Sequence, residues 1–352
     1  MKILYVVEAM GGGVFTYIVE MANELCNENE IYIAYNTRPQ TPKDYEAYFD
    51  KRVNLIHISS FCRSINPIKD IKAGIELYKI FMNICPDIIH LHSSKAGIIG
   101  RFIFAFNNNA KLFYTPHGYS FLMENYSKIK RMIFKSLEKV FAIKKCKTIS
   151  CSKGEHLETL KLTQNAAYVN NGINIKEIDD ICSKIHPSKK EKFTVFTLGR
   201  ICEQKNPNMF NEIALRCPNI DFVWVGDGEL RNLLTAPNIR VTGWCERKKA
   251  LEISLEADVF ILTSLWEGLP MSLVEAMYMK KICIVSDVIG NRDVIRNNQN
   301  GFVCKNCDEF SNVIQKIIEM NTHDIIETAY MEVINEYNIE CMAKKYAQLY
   351  KE

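Results

Sequence analysis

Two glutamates with seven residues between them, Glu267 and Glu275, are the most informative pair of chemical groups in the chain. On one continuous helix they would lie about 12 Å apart along the axis. That spacing exceeds the ~5–9.5 Å at which paired carboxylates hydrolyse glycosides. Pro270 is typical of a first helical turn, so we expect Glu267 in a loop and Glu275 in the following helix. Each carboxylate could then hold a different part of one extended ligand, with backbone N–H groups between them to receive negative charge.

Two cations follow a predicted buried strand in the second half of the chain. The strand 193–199 leads into Arg200, and Lys205 stands five residues further on, just before a predicted helix. Together with the dipole of that helix, these cations suit a diphosphate. Two surface charges in a solvated loop are the alternative, and the spacing leaves it open.

Three histidines lie at or near the ends of predicted strands. His117 follows a strand directly and precedes Gly118, which places it to hydrogen-bond a sugar or phosphate, although a lone histidine is also typical of a structural role. His90 and His92 share one face of their strand because side chains alternate. They could bind a metal, but no third ligand stands nearby, and we favour two partly buried structural histidines.

Three glycines, Gly11 to Gly13, separate the first predicted strand from the first predicted helix. Glycines at this point let the backbone approach a ligand closely and leave a helix N-terminus free for an anion. The match to the dinucleotide fingerprint G-x-G-x-x-G is partial, because Thr16 stands at the third glycine position, and we do not favour an NAD site. A turn that only packs against the sheet is the alternative.

Strand and helix patterns alternate along the whole chain, which predicts βαβ units and parallel sheets. Predicted strands are 2–7, 30–34, 53–57, 87–91, 111–115, 147–151, 167–169, 193–199, 221–225, 240–242, 258–263 and 282–286. Predicted helices include 14–27, 67–84, 128–143 and a tail from about 308. The polar stretch 176–192 is interpreted as a helix plus linker. We therefore expect two doubly wound α/β domains, 1–175 and 190–335, with a ligand cleft between them and a helix at 336–352 packed on the first.

Composition restricts the classes of protein that the chain can form. The 352 residues are 47% hydrophobic and 24% charged, which excludes a disordered protein and fits two domains. The longest apolar stretches are near nine residues, short of the ~20 that cross a bilayer, and the N-terminus lacks a signal-peptide pattern, so we expect a cytoplasmic protein. Thirteen scattered cysteines, with one C-x-x-C at Cys304 and Cys307, fit free thiols better than a zinc or disulfide framework.

The small net charge of +3 conceals one strongly basic segment, residues 128–147, which carries eight Lys or Arg against Glu138. A helical apolar stripe runs through it, formed by Ile129, Met132, Ile133, Leu137, Val140 and Phe141. Such a helix could lie on an anionic membrane surface. Alternatively, the stripe packs on the sheet and the lysines are solvated. Nucleic acid is not expected as a partner, because the helix lacks a known binding motif and the total charge is small.

The segment from Glu267 to Glu275 resembles the signature of the retaining glycosyltransferases of family 4, which have the GT-B fold. Gly199-Arg200 with Lys205 is similar to the donor-diphosphate pair of that family, and the loops at 225–229 and 241–243 are similar to its next strand ends. Further similar motifs fall in the family's order, so the resemblance covers nearly the whole chain: Gly11 to Gly13, His117-Gly118, Asn171 to Asn174 and Asn300-Gly301. One departure is Ile289-Gly290, where the family commonly has two glycines, and narrower backbone access is expected there.

The resemblance implies a role for each matching residue. Arg200 and Lys205 would neutralise the nucleotide diphosphate, and Glu275 would bind the ribose hydroxyls. Glu267 and His117 would be the catalytic residues that contact the transferred sugar. The implied donor-binding set is Gly12, Gly13, Arg200, Lys205, Gly226, Gly243, Gly268, Leu269, Met271, Ser272, Leu273 and Glu275. No D-x-D occurs in the sequence, and we expect no metal and no other cofactor.

The resemblance predicts a retaining, metal-independent glycosyltransferase of the hexosyltransferase class. It would move a sugar from a nucleotide-sugar, with UDP expected, to a glycan acceptor of the lipid-linked kind. The family implies a place in bacterial capsule, O-antigen or exopolysaccharide biosynthesis, peripheral at the inner face of the cell membrane. Two alternatives stay open: a sugar-nucleotide epimerase or hydrolase on the same fold, and a non-catalytic module that binds a nucleotide-sugar or a polyanion.

Overall fold

The structure is a computed structural model that describes residues 1–62, 64, 66–106, 109–185 and 192–352. Within these ranges the strands are β1 (Lys2–Met10), β2 (Glu30–Thr37), β3 (Asn54–His57), β4 (Ile88–His92), β5 (Lys111–Thr115), β6 (Cys146–Ser150), β7 (Ala166–Tyr168), β8 (Thr194–Leu198), β9 (Asp221–Val225), β10 (Ile239–Val241), β11 (Val259–Leu262), β12 (Ile282–Ser286) and β13 (Phe302–Cys304). The α-helices are α1 (Gly12–Leu25), α2 (Pro67–Ile84), α3 (Ser94–Ile103), α4 (Lys128–Val140), α5 (Lys153–Leu160), α6 (Ile175–Cys182), α7 (Pro207–Arg216), α8 (Arg247–Glu256), α9 (Met271–Tyr278), α10 (Asn291–Val294), α11 (Cys307–Glu319), α12 (His323–Glu336) and α13 (Ile339–Lys351). None of these helices is long and apolar enough to cross a bilayer.

The described chain forms two compact units, each built on its own parallel sheet. Unit 1 contains Met1–Leu122, Tyr126–Asn171 and Ile339–Glu352. Unit 2 contains Met123–Asn125 and Gly172–Asn338. The prediction of two Rossmann-like α/β domains is therefore confirmed.

The sheet of unit 1 has the strand order β3-β2-β1-β4-β5-β6-β7, and its strands pair in parallel. The connections change direction between β1 and β4, and ligands bind at such switch points in open α/β sheets, beyond the carboxyl ends of the strands. Strand β4 is buried along its whole length, which is typical of a parallel strand covered on both faces. Its register places His90 beside Tyr5 and His92 beside Val7.

Helix α13 belongs to unit 1, although all of unit 2 precedes it in the sequence. It packs on α1 through an apolar stripe whose members include Met342, Tyr346 and Tyr350, all of them fully buried. The ammonium of Lys111 donates to the carbonyl of Tyr350 at 3.1 Å. Helices α2 and α3 contribute to the core on the opposite face of the same sheet.

The sheet of unit 2 has the order β10-β9-β8-β11-β12-β13, again with parallel pairing. Strands β11 and β12 are apolar except for Ser286 at the end of β12 and are buried at every residue, as is typical of central parallel strands. The switch point lies between β8 and β11. Strand β13 was not predicted, because its three residues show no apolar run long enough to stand out.

Unit 2 begins at Gly172, earlier than the boundary predicted at 190. The reason is helix α6, the helix predicted within the stretch 176–192, which packs on α8. Ile178 is fully buried there, and the hydroxyl of Tyr278 donates to Asp179 Oδ1 at 2.6 Å. Residues 186–191 of the predicted linker lie outside the described ranges.

Candidate functional site

Glu267 and Glu275 occupy the two kinds of position that the sequence predicted. Strand β11 ends at Leu262, Glu267 lies in the loop that follows, and α9 begins at Met271 with Pro270 as its N-cap residue. Glu275 is therefore on the helix and Glu267 is not. Both side chains are nearly inaccessible, with exposed fractions of 8% for Glu267 and 4% for Glu275.

The carboxylate of Glu267 is held by side chains from two neighbouring loops. Lys205 Nζ and Ser264 Oγ each donate to Glu267 Oε1 at 2.7 Å, and Gln204 Nε2 donates to Oε2 at 3.1 Å. The backbone joins the same loops, since the N–H of Leu265 donates to the carbonyl of Gln204 at 2.8 Å. Glu267 is therefore fixed in one orientation and its negative charge is balanced by an adjacent ammonium.

Arg200 and Lys205 both lie on the segment that follows β8, but their charges are placed differently. Lys205 ends a short 3-10 turn, Glu203–Lys205, and forms the ion pair with Glu267. Arg200 is half-buried and forms no ion pair or side-chain hydrogen bond with any of the described residues. Among the described residues, Arg200 thus has no carboxylate partner at the carboxyl end of β8, and its positive charge is available to bind an anion.

Two glycines allow the loops of unit 2 to pack backbone against backbone. Gly226 has φ +139, and a Cβ there would lie 2.2 Å from the carbonyl oxygen of Gly199. Gly290 has φ +87, and its Cβ would lie 2.4 Å from the carbonyl oxygen of Gly268. Gly290 thus lets the loop after β12 contact the loop of Glu267, although Ile289 replaces the second glycine that the resemblance leads one to expect.

The first turn of α9 contributes backbone groups to the same edge. A helix leaves its first N–H groups without intrahelical acceptors, which gives the N-terminus a partial positive charge. The N–H of Leu273 reaches the carbonyl of Pro270 at 3.2 Å, so the open donors are those of Met271 and Ser272. Of the other predicted residues, Leu269 and Leu273 bury their side chains in the core and can contact a ligand only through the backbone.

Arg247 is a functional candidate that the sequence reasoning missed. Its Nη1 donates to Glu275 Oε1 at 2.8 Å, and its Nε donates to Glu177 Oε1 at 3.0 Å. Burial opposes the charge of Arg247, but the two carboxylates outweigh it and raise the pKa of the guanidinium. Arg247 connects α6, α8 and α9, and Glu275 Oε2 has no hydrogen bond with the described residues. No spacing signal in the sequence links these three residues.

His117, the predicted catalytic residue of unit 1, belongs to a group of neighbouring histidines. His117 follows β5 in a left-handed conformation with φ +54. Its Nε2 lies 3.0 Å from His92 Nδ1, and its Nδ1 lies 3.5 Å from the thiol of Cys151, a weak partner. Burial lowers the pKa of His117 to about 3, so the imidazole is neutral at physiological pH. It can exchange one hydrogen bond with a ligand hydroxyl, but it is a poor source of positive charge.

Glu155 fixes the backbone around His117, and sequence reasoning did not identify it. Its Oε1 accepts from the N–H of Gly118 and its Oε2 from the N–H of Cys151, both at 2.7 Å. Glu155 is fully buried on α5. One charge-assisted hydrogen bond therefore attaches the loop of His117 to α5, and a second attaches Cys151, the residue after β6, to the same carboxylate.

His90 and His92 are more completely buried than the sequence suggested, at 1% exposure each. His90 bonds to Tyr350 Oη at 2.6 Å and to Thr115 Oγ1 at 2.8 Å. Burial lowers the pKa of both imidazoles. No group of three His, Cys, Asp or Glu in the described part of the chain has the geometry to hold a metal ion. The structural interpretation of the two histidines is the better one.

Gly12 and Gly13 lie at the carboxyl end of β1, where α1 begins. A Cβ at either position would meet no atom within 4 Å, so the space above the helix N-terminus is open. These glycines and His117 belong to unit 1. The remaining predicted site residues all belong to unit 2, where the loops after β8, β9, β10 and β11 bring them to one sheet edge.

Two family models match the chain, one for each half. The model described as Glycosyltransferase Family 4 matches residues 11–177, and the one described as Glycosyl transferases group 1 matches residues 179–332. An Escherichia coli protein named UDP-Gal:alpha-D-GlcNAc-diphosphoundecaprenol alpha-1,3-galactosyltransferase is 31% identical over 335 residues. That alignment covers 86% of this chain and 85% of the relative.

Solved structures with low sequence identity share the architecture. Sucrose-phosphate synthase from Thermosynechococcus elongatus superposes with a TM-score of 0.83 at 14% identity, covering 100% of this chain and 98% of that one. The Anabaena protein HepE, solved in complex with UDP and glucose, gives 0.79 at 15% identity and covers 99% of both chains. At these identities the likeness concerns the fold alone.

Proposed function

This chain belongs to the GT-B glycosyltransferases of the group 1 and family 4 type, and on that premise we propose that it transfers a sugar from a UDP-sugar to a lipid-linked glycan. The observation that carries the proposal is the group of loops at the carboxyl ends of the unit 2 strands. These loops contain the Lys205–Glu267 pair, Arg200 and the first turn of α9. The relative from Escherichia coli supports the donor and acceptor classes, because its name specifies UDP-Gal and a diphosphoundecaprenol-linked sugar.

The donor diphosphate is assigned to the positive groups of this edge. Arg200 has no counter-charge among the described residues and would pair with a phosphate directly. Lys205 has three N–H donors and uses one for Glu267 at 2.7 Å, so it can bind phosphate without releasing that carboxylate. The open N–H groups of Met271 and Ser272 add the helix dipole. Together these groups stabilise the charge that develops on the leaving diphosphate.

The two glutamates are assigned to the two sugars of the donor. Glu275 Oε1 is occupied by Arg247, and Oε2 makes no hydrogen bond with the described residues, so it is available to the ribose hydroxyls. Glu267 is oriented by three donors and would accept hydrogen bonds from hydroxyls of the transferred sugar. His117 in unit 1 is assigned a ligand hydroxyl through Nδ1, whose present partner is the weak thiol of Cys151.

We infer transfer with retention by a front-face displacement. The bond between the anomeric carbon and the diphosphate oxygen breaks as the acceptor oxygen attacks from the same face. The departing phosphate oxygen takes the acceptor's proton, so the products are the glycosylated acceptor and UDP. Glu267 keeps the sugar in place but is neutralised by Lys205, which fits a positioning and electrostatic role better than that of a nucleophile. In this scheme the cations and the helix dipole manage the diphosphate charge, and no metal or other cofactor takes part.

The acceptor side of the proposal concerns the membrane. We propose that the protein acts in bacterial surface polysaccharide biosynthesis, peripheral at the cytoplasmic face, where residues 128–147 meet anionic lipid. A lipid-linked acceptor is held in that surface, so attachment would raise the local concentration of substrate. The named relative is a transferase, which does not favour the alternatives of an epimerase, a hydrolase or a non-catalytic binding module.

A donor panel tests the proposal. The protein is incubated with UDP- and GDP-sugars, with and without a polyprenyl-diphosphate-linked GlcNAc acceptor, and products are read by mass spectrometry. Release of UDP that depends on the acceptor, with a matching gain of acceptor mass, is the expected result, and Glu267→Gln should abolish most of it. Free sugar formed equally without acceptor would indicate a hydrolase, and no turnover of any donor would overturn the assignment. The anomeric configuration of the product, read by NMR, tests retention.

A further inference from the structure

Helix α2 carries apolar side chains on two opposite faces. One face is buried against the sheet and includes Ala73, Leu77 and Phe81. The other is exposed, with exposed fractions between 49% and 82%, and consists of Ile68, Ile71, Ile75, Tyr78 and Met82. At about 100° per residue these five positions fall within about 80° of the helix circumference. A surface helix normally presents polar residues on its outer face. This exposed apolar stripe therefore indicates a surface that binds a partner.

Helix α4 is also inverted relative to an ordinary surface helix. Its apolar residues Ile129, Met132, Ile133 and Val140 are 51–73% exposed, whereas Glu138 is buried. The alternative in which this stripe packs on the sheet is therefore wrong. Helix α4 has this orientation because polar side chains on its buried side form hydrogen bonds within unit 1.

The anchor of α4 is a buried cluster around Glu138. Glu138 accepts from Arg101 Nη2 at 2.7 Å and from the hydroxyl of Tyr114 at 2.9 Å. The guanidinium of Arg131 reaches the carbonyl of Phe121 at 2.9 Å. These contacts fix the rotation of α4 about its axis and hold its apolar sector outward.

Helix α3 joins these two stripes into one surface. It packs on α2 so closely that a Cβ at Gly74 would lie 2.8 Å from Ile103 Cδ1. On its other side, Arg101 forms the buried pair with Glu138 of α4. Phe102 is 72% exposed between the two contacts, and Phe106, just beyond the helix, is 92% exposed. The exposed apolar residues of α2, α3 and α4 therefore form one side of unit 1, here called the apolar face.

The apolar face is bordered by positive charge. Helices α2, α3 and α4 contain ten Lys or Arg against three Asp or Glu. Two of the three acidic groups are already paired, Asp70 with Lys95 and Glu138 with Arg101, both at 2.7 Å. Glu76 is the remaining carboxylate. Lys72 and Lys79 adjoin the stripe of α2, and Lys128 and Lys139 adjoin that of α4.

We propose that the apolar face is a bilayer-docking surface that inserts aliphatic and aromatic side chains among the headgroups of anionic phospholipids, while the bordering lysines bind their phosphates. Parallel amphipathic helices with lysines beside an apolar sector have the features that suit the interface of a membrane. A second copy of this chain fits poorly, because a two-fold contact would set the same lysines against each other. The inference extends the membrane contact beyond residues 128–147 to α2 and α3, and it is independent of the transfer reaction because vesicle binding needs no donor.

Flotation with vesicles tests the proposal. The full chain is mixed with vesicles of phosphatidylcholine alone or with 30 mol% phosphatidylglycerol. The variant Ile71→Ser/Ile75→Ser/Met82→Ser should bind the anionic vesicles at least tenfold more weakly. The matched control Leu215→Ser/Ile318→Ser/Met331→Ser changes equally exposed apolar side chains in unit 2 and should bind like the native chain.

Salt separates the two kinds of contact. Replacing Lys72, Lys79, Lys128 and Lys139 by Gln should remove the salt-sensitive part of binding, whereas the α2 variant should lose the part that survives 0.5 M salt. The three tryptophans of the chain lie in unit 2, so Ile75→Trp adds a reporter to unit 1, and brominated lipid should quench it while leaving Leu157→Trp unaffected.

Two results would overturn the proposal. One is equal vesicle binding by the native chain and the α2 variant, with Ile75→Trp unquenched. The other is a native chain that elutes as a dimer, ignores vesicles and becomes monomeric in the α2 variant, which would make the apolar face a self-association surface. Circular dichroism and native thermal unfolding of each variant exclude a folding defect. Donor turnover in detergent without vesicles reports separately on the proposed reaction.

Discussion

Replacing Arg247 by alanine should lower both the stability of unit 2 and its affinity for the sugar nucleotide. Arg247 bonds to Glu275 at 2.8 Å and to Glu177 at 3.0 Å, and the carboxylate of Glu275 is only 4% exposed. Without the guanidinium, Glu275 keeps its buried position but has no counter-charge. The loss is therefore mainly the penalty of leaving a carboxylate unpaired away from water.

The size of the effect follows from burial. Removing one partner of a fully buried ion pair costs about 3–5 kcal/mol. The side chain of Arg247 is 26% exposed, so water screens part of the interaction and we expect about 2–3 kcal/mol. In a unit of this size that corresponds to a decrease in Tm of about 4–12 °C. Arg247 also orients the carboxylate of Glu275, and a hydrogen bond to a charged group contributes about 1.5–3 kcal/mol, so loss of that orientation should weaken the ribose contact and raise the donor Kd by about tenfold.

Calorimetric unfolding and titration with UDP measure the two effects. Arg247→Lys should recover part of both, and Arg247→Ala/Glu275→Gln should recover part of the Tm but none of the affinity, since it removes the stranded charge together with the ribose ligand. Arg216→Ala is the control, because Arg216 pairs with Glu212 and Asp308 at the surface and should leave Tm unchanged. An unchanged Tm in Arg247→Ala, or a double variant less stable than the single one, would refute the reasoning.

The other predictions concern the diphosphate, the transferred sugar and pH. Arg200→Ala should raise the Kd for UDP about tenfold and reduce its dependence on salt, measured by calorimetry at two ionic strengths; equal affinity would remove Arg200 from the site. Glu267→Gln should lower kcat about 10²–10³-fold with little change in the donor Kd, and a proportional loss of binding would argue against a contact that matters in the transition state. Unit 1 should lose stability as pH falls from 6.5 toward 3, because burial lowers the pKa of folded His117 to about 3 and the unfolded chain then binds more protons. Urea midpoints at pH 7 and 5 should differ less in His117→Asn than in the native chain, whereas the exposed-site variant His323→Asn should keep the native difference.

Local sequence patterns predicted most of the fold because they depend on short-range physics. Apolar and β-branched runs identified every strand except β13, and the predicted helix 67–84 agrees at both ends with α2. The placement of Glu267 in a loop and Glu275 on a helix followed from Pro270 alone. Both predictions depend only on the local geometry of a strand or a helical turn, and one short segment of sequence is enough to determine that geometry.

Contacts between distant segments could not be predicted in this way. Arg247 and Glu275 are 28 residues apart, and Glu155 is 37 residues from the N–H of Gly118 that it fixes. No periodicity relates such pairs, since they meet only after the sheet has set the order of its strands. The rotation of α4 was equally hidden, because the buried acceptor that fixes it, Glu138, looks in sequence like one more surface charge.

The position of α13 has a consequence for biosynthesis. Tyr346 and Tyr350 complete the core of unit 1, and Tyr350 bonds to His90, yet a ribosome makes both only after all of unit 2. Nascent unit 1 therefore leaves the part of its core that α13 covers exposed while 167 further residues, Gly172 to Asn338, emerge and fold. A product of premature termination before Ile339 would retain this exposed apolar surface and be recognisable to chaperones and proteases. Completion of the core of unit 1 thus depends on residues that are translated after all of unit 2.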